Sequence, residues 1–285
     1  MLRLGYNTNG FAHHRLEDAI EIIAELGYQS VAVTIERDLL DPPDRGGVSQ
    51  AARRLTSALR GTALTATIET GGRFILDPRR KHQPTLVSAD RSARRHRIEF
   101  LRAAIDLAAE TAAESVSLWS GAPDDDARED ELFSRMRQGL GEVLSHAETR
   151  GVRLSFEPEP GMLIDTMQRY ARLHEELSHP LFGLTLDVGH VVCLSDGSPA
   201  DHIAKWSKKL WNVHIEDMRA GVHEHLMFGE GDVDFAAVFA GLRAAKYAGP
   251  IHVELSRHSH DAVAIARRSF VFLKAVVSGS EDRAG

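Results

Sequence analysis

The stretch Leu184-Thr-Leu-Asp-Val-Gly-His190, LTLDVGH, is an apolar run that stops on a carboxylate. A glycine and a histidine follow within three positions. A continuous apolar run bounded by turn residues fits a strand buried on both faces, as in a parallel sheet. Asp187 at its tip then needs explaining, because a buried carboxylate without a partner is costly. The pattern recurs on both sides. Upstream, the strand-like segment VRLSFEPEPG carries Glu157 at its end. Downstream, LWNVHIEDM carries His214, and PIHVELSRH carries Glu254. The separations are 30, 27 and 40 residues, each about one strand-plus-helix unit.

Working outward, the same alternation fills the chain. LRLGYNT, SVAVTIE, LTATIET and SVSLWSG read as four earlier strands. Amphipathic segments separate them. In the first, Ala19, Ile22, Ile23 and Leu26 fall on one face. The second has Ser49 placed as an N-cap and Gly61 beyond its end. Eight strand-then-helix units in 285 residues predict a parallel sheet closed as a (β/α)8 TIM barrel, an α/β fold. One domain over residues 1–278 is expected, with a polar, frayed tail at 279–285. A doubly wound open sheet is the competing architecture, but no GxGxxG turn follows the first strand.

Composition narrows the function classes. Net charge is −7, from 41 acidic and 34 basic residues, which argues against a sequence-independent grip on nucleic acid. No apolar run approaches the ~18 residues of a membrane span. MLRLGYNTNGF enters strand-like sequence directly, without a signal-peptide layout. The single cysteine, Cys193, fits a reducing compartment and a packed rather than reactive thiol. A cytoplasmic location is expected.

In a TIM barrel the active site lies where strands end and βα loops begin. Glu157, Asp187, His214 and Glu254 would therefore meet on one rim. Three facing carboxylates repel one another unless a divalent cation sits among them. Three carboxylates and one imidazole suit Mn²⁺ or Mg²⁺, with Co²⁺ or Zn²⁺ also compatible. The segments SFEPEPG, LTLDVGH, VHIED and HVEL, and the H-x-x-x-G-x-G-x-x-D-F run from His225 to Phe235, resemble the xylose-isomerase-like TIM barrels. That superfamily includes sugar isomerases and 3-epimerases, inosose isomerases and dehydratases, and endonuclease IV. The resemblance spans essentially the whole chain. It implies one divalent metal held by Glu157, Asp187, His214 and Glu254, with Glu157 and Glu254 also the catalytic acid/base pair. In this reading Gly189 lets the backbone turn beside Asp187.

Other rim residues have two readings each. His190 is a substrate contact or second-layer group, or a structural histidine bonded to backbone. Trp119 stacks on a sugar face or walls the pocket. Glu69 binds a hydroxyl or pairs with an arginine. The resemblance implies a polar substrate contact at His225, and Arg219 is expected to meet an oxygen or a negative charge on the substrate. Residues 71–92 form a 22-residue loop carrying Arg73, Arg79, Arg80, Lys81 and His82. Long loops are often lids, so Arg79 and Lys81 either meet an anionic substrate group or belong to a solvated or subunit-contact loop. A homo-oligomer is left open. The expected function is metal-dependent isomerisation or epimerisation beside the carbonyl of a keto-sugar, keto-inositol or related acid. Dehydration of a keto-polyol or a dehydroshikimate-like acid is the alternative. A nuclease is disfavoured by charge, and a non-catalytic barrel by the intact four-residue set.

Overall fold

The computed structural model of the chain describes residues 2–41 and 47–279. In chain order the strands are β1 (Arg3–Asn7), β2 (Ser30–Thr34), β3 (Thr65–Glu69), β4 (Val116–Leu118), β5 (Leu154–Phe156), β6 (Phe182–Asp187), β7 (Leu210–Ile215), β8 (Asp217–Arg219), β9 (Val222–Leu226) and β10 (Pro250–Val253). Eight of them close into a parallel barrel in the order β1-β10-β7-β6-β5-β4-β3-β2. This is the (β/α)8 TIM barrel, a single domain. β8 and β9 pair antiparallel as a separate ribbon. The helices are α1 (Leu16–Glu25), α2 (Gly47–Leu59), α3 (Arg91–Thr111), α4 (Glu129–Arg150), α5 (Met167–Leu177), α6 (Val188–Cys193), α7 (Pro199–Trp206), α8 (Phe235–Ala244) and α9 (Ala262–Gly279). None of them, over the described residues, is long and apolar enough to cross a membrane.

Every residue of β6 is buried, with no alternation, as befits a parallel strand covered on both faces. α1 buries Leu16, Ala19, Ile20 and Ile23. Its inward stripe is therefore rotated from the expected one: Ile22 is only half-buried, and Leu26 has become the C-cap. α2 is already helical at Gly47, so Ser49 lies within its first turn rather than capping it. Gly61, past its end, has φ +84, which glycine adopts without strain. The long loop ends sooner than expected. Asp90 caps α3 by accepting from the backbone N–H groups of Ser92 and Ala93, so Arg91 and Ser92 are helical. The expected tail lies, apart from Gly279 at the end of α9, outside the described residues.

Contacts group the chain into two compact units. One draws on Met1–Val33, Ala58–Thr65 and Leu184–Gly285, the other on Thr34–Ser57 and Ala66–Gly183. In the first, Phe228, Phe235 and Phe272 pack ring to ring at 5.1–5.3 Å. In the second, Phe156 and Tyr170 stack at 6.1 Å and both meet Phe182. These apolar seams fix the strands whose ends carry the polar residues.

Candidate active site

Asp187 is both the last residue of β6 and the N-cap of α6. Its Oδ1 accepts from the His190 N–H at 2.8 Å, a cap that contributes ~1 kcal/mol. Its other oxygen, Oδ2, is buried without a hydrogen-bond partner and lies 3.6 Å from His190 Nε2. Strand register sets His214 beside Asp187 on one side and beside His252 on the other. His214 Nδ1 lies 2.8 Å from Glu254 Oε2. Glu254 follows β10 directly and anchors its own N–H to Ile215 O at 3.2 Å. Asn9, after β1, donates to Glu254 Oε1 at 2.7 Å. Glu157 follows β5, is buried, and donates its N–H to Leu118 O at 2.8 Å. Glu157, Asp187, His214 and Glu254 each offer a ligand atom, all within 4.8 Å of one another.

The electrostatics are those of charges crowded away from water. Burial pushes the Glu254 carboxyl up, but His214, which attracts it and hydrogen-bonds to it through Nδ1, holds it well below the usual glutamate range with help from His225 and His190. Burial also raises Asp187, yet His190, with His225 and His214, keeps it below its ordinary value against the repulsion of Glu254. Glu216 goes the other way. It is fully buried, and burial first, then Asp187 and Glu254, push its pKa well above normal. Neither of its oxygens has a partner when both acids are charged. A proton on Glu216 would let it donate to a neighbouring carboxylate, so we take it as the neutral acid of the group. Asp187 Oδ2, buried and with no hydrogen-bond partner when both acids are ionised, fits a cation: a ligand set of three carboxylates and an imidazole would satisfy it.

Gly189 has a different job from the one expected. It sits inside α6, and a Cβ there would come 2.1 Å from Glu216 Oε1 and 3.0 Å from Met218 Cε. It gives clearance to a carboxyl rather than a turn to the backbone. Asp217 organises the following loop by accepting from the N–H groups of Met218, Gly229 and Val233 at 2.8–3.1 Å. The glycine-rich run is thereby explained locally. Gly229 has φ +89, Gly231 leaves room for Asp217, and Asp234 caps α8.

The ribbon β8–β9 brings His223 and His225 toward His190. Ring centroids lie 4.9 Å apart for His190–His223 and 5.9 Å for His190–His225. His225 Nδ1 meets Glu254 O at 2.9 Å. Burial, and then His190 and His225, push His223 down to about 4. Arg219 is exposed and donates to Glu230 O at 3.1 Å. Glu69 ends β3 and is buried. Trp119 is buried with the Arg97 guanidinium 4.6 Å over its ring and His82 5.1 Å away. Arg79 and Lys81 are exposed on the loop, while Arg80 pairs with Asp77 at 2.7 Å. Glu216, His223 and Asn9 were not singled out from the sequence. The usable signal was the spacing of Asn212, His214 and Glu216, which puts three polar groups on one face of a strand.

Residues 20–276 match the family described as "Xylose isomerase-like TIM barrel". A curated relative, the L-ribulose-5-phosphate 3-epimerase UlaE of Salmonella paratyphi C, is 28% identical over 195 residues, covering 67% of this chain and 68% of the relative. Among solved structures, a D-tagatose 3-epimerase-like protein superposes with a TM-score of 0.81 at 20% identity, over 100% of both chains. The IOLI protein with a bound zinc atom gives 0.78 at 16% identity, over 98% of this chain and 99% of that one. At these identities the two superpositions speak to fold.

Proposed function

The chain belongs to the xylose isomerase-like TIM barrel family, and from that premise we propose that it is a divalent-metal-dependent epimerase or isomerase of keto-sugars or related polyols. The observation that carries this reading is the convergence of Glu157, Asp187, His214 and Glu254 within 4.8 Å. These four would hold the metal, Mn²⁺ or Mg²⁺ by ligand hardness, with Co²⁺ and Zn²⁺ also accepted. A cation there would draw electron density from the substrate's carbonyl oxygen and so acidify the adjoining C–H. The protein's own part is proton transfer. Glu157 and Glu254 stand on different strands, and one carboxylate removes the proton beside the carbonyl while the other returns it. Return to the same carbon from the other face epimerises; return to the neighbouring carbon isomerises. His214 keeps Glu254 ionised, and Asn9 fixes its orientation. His190 and His225 bring imidazole nitrogens to the same rim and serve as substrate contacts. The similarity to an L-ribulose-5-phosphate 3-epimerase makes a ketopentose, free or phosphorylated, the first substrate to assay.

The test replaces Glu157 or Glu254 with Gln at saturating Mn²⁺. If the glutamates move protons, a rate loss of ~10²–10⁴-fold persists when metal is in excess. In D₂O, one variant still exchanges the proton beside the carbonyl without net turnover, and the other does not. Full rescue of both variants by metal removes the two-base mechanism.

A further inference from the structure

A TIM barrel interior is normally packed with layers of branched aliphatic side chains. Below His214 this barrel carries a chain of polar groups instead. His214 Nε2 lies 3.1 Å from Asn212 Nδ2. Asn212 Oδ1 lies 2.8 Å from His252 Nδ1, and His252 Nε2 lies 2.9 Å from Ser30 Oγ. Ser30 Oγ accepts from Thr65 Oγ1 at 3.1 Å and reaches Thr65 O at 3.2 Å. Arg3 Nη1 closes the series on Thr65 Oγ1 at 3.0 Å. All six residues belong to one compact unit, and Asn212, His252 and Ser30 are fully buried. Space is reserved for the chain: a Cβ on Gly5 would come 2.3 Å from His252 Cδ2. The proton transfers proposed above use none of Asn212, His252 or Ser30.

We propose that Asn212 and His252 are positioning residues that hold the His214 ring and answer metal loading by reversing the direction of this hydrogen-bond chain. The proposal rests on the metal reading of the site. A neutral imidazole has one donor and one acceptor nitrogen. As placed, the Asn212 amide turns Nδ2 toward His214 Nε2, which assigns the proton of a neutral His214 to Nδ1, toward Glu254. His252 then donates from Nδ1 to Asn212 Oδ1. When Nδ1 of His214 is a metal ligand it cannot carry a proton, so Nε2 must. That N–H needs an acceptor. A half-turn of the Asn212 amide supplies one, exchanging O and N with little movement of other atoms. The Asn212 NH₂ then faces His252 Nδ1, which becomes the acceptor, and His252 donates from Nε2 to Ser30 Oγ. The Ser30 O–H passes to Thr65 O. Thr185 Oγ1, 3.5 Å from Asn212 Nδ2, can turn its own hydroxyl toward the amide oxygen. Each ring keeps one proton throughout, and no buried group is stranded in either direction.

The experiment pairs NMR of the imidazole nitrogens in the wild type, metal-free and Zn²⁺-loaded, with calorimetric Mn²⁺ titration of the wild type, Asn212→Leu and Asn212→Asp. On loading, His252 should move its proton from Nδ1 to Nε2. Asn212→Leu should weaken Mn²⁺ binding about 10–100-fold, the usual cost of losing a partner that orients a metal-binding histidine. Asn212→Asp still accepts from Nε2–H and should bind at least as tightly as the wild type. A wild type that binds neither metal defeats the metal reading and this proposal together. Binding with the His252 tautomer unchanged, or with the Asn212→Leu affinity unchanged, overturns the relay alone. Should Asn212→Leu fail to fold, the wild-type tautomer measurement decides the matter.

Discussion

Gly189 is a glycine for reasons of space, and the consequence can be measured. In Gly189→Ala the new methyl group would overlap the fully buried Glu216 carboxyl, which must shift to admit it. Overpacking of this kind costs ~1–3 kcal/mol, or a fall in Tm of roughly 2–4 °C per kcal/mol for a domain approaching this size. Adding Glu216→Ala should restore much of the loss in a thermal melt, since it removes the group that is struck. His82 gives a second residue-level expectation. Burial, then Lys81, Arg97 and Arg73, push its pKa down to about 3 from 6.5. Between those two values the unfolded chain binds the extra proton and the folded chain does not, so stability is complete above about pH 6.5 and declines as pH falls toward 3. His82→Asn, which tolerates the φ of +64 found there, should narrow the difference in Tm between pH 7 and pH 4. Glu157, Asp187, His214 and Glu254 were legible because each ends an apolar run. Glu216 and Asn212 were signalled only by their spacing from His214, and His252 not at all, because a polar residue inside a strand reads like one facing solvent until barrel closure buries it.

Among elements, the eight barrel strands were legible for a simple reason: strands buried on both faces are short, apolar and separated by helices of amphipathic period. The ribbon β8–β9 escaped, being three and five residues long with no regular alternation of buried and exposed positions. Gly221, at φ +77 in its turn, was the one local cue. The basic loop was legible as a long connection, and its anchoring was not. Buried Arg97 on α3 donates to Pro84 O and His82 O at 2.8 Å each. Residues 84–88 are buried, while Arg79 and Lys81 are exposed at the loop's outer part. A loop clamped at its base with free cations at its tip suits the capture of an anionic substrate group better than wholesale opening. Replacing Arg79 and Lys81 together by Ala should raise KM for L-ribulose 5-phosphate about tenfold, near the ~1.4 kcal/mol of one hydrogen bond to a charged group. KM for the unphosphorylated ketose should change much less. Equal changes for both substrates would leave the loop without a role in recognition.

At the scale of the whole molecule, the candidate site is where the proposed metal would add to the stability of the fold. Glu157, Asp187 and Glu254 crowd within 4.8 Å, and burial, with Asp187 and Glu254, pushes the pKa of Glu216 beside them well above normal. A cation held there would be bound by the folded chain alone, so its binding would add to the stability of the fold. A ligand at 100 times its Kd contributes about 2.7 kcal/mol, which corresponds to roughly 5–10 °C in Tm for a domain of this order. Wild-type protein should therefore melt that much higher in saturating Mn²⁺ than in EDTA. Asp187→Asn separates the two contributions. Asparagine keeps an oxygen to cap α6 through the His190 N–H, so the helix start survives. One negative charge leaves the cluster, and Oδ2, which had no hydrogen-bond partner, becomes an amide nitrogen able to donate to Glu216 or Glu254. In EDTA this variant should melt at or above the wild-type temperature. In Mn²⁺ it should gain little, because a ligand has been lost, and so fall below the wild type. The two melting curves would then cross in order between the two buffers. A variant less stable than wild type in both would mean that Asp187 serves the fold first, and that the repulsion ascribed to the cluster is already absorbed by the proton on Glu216.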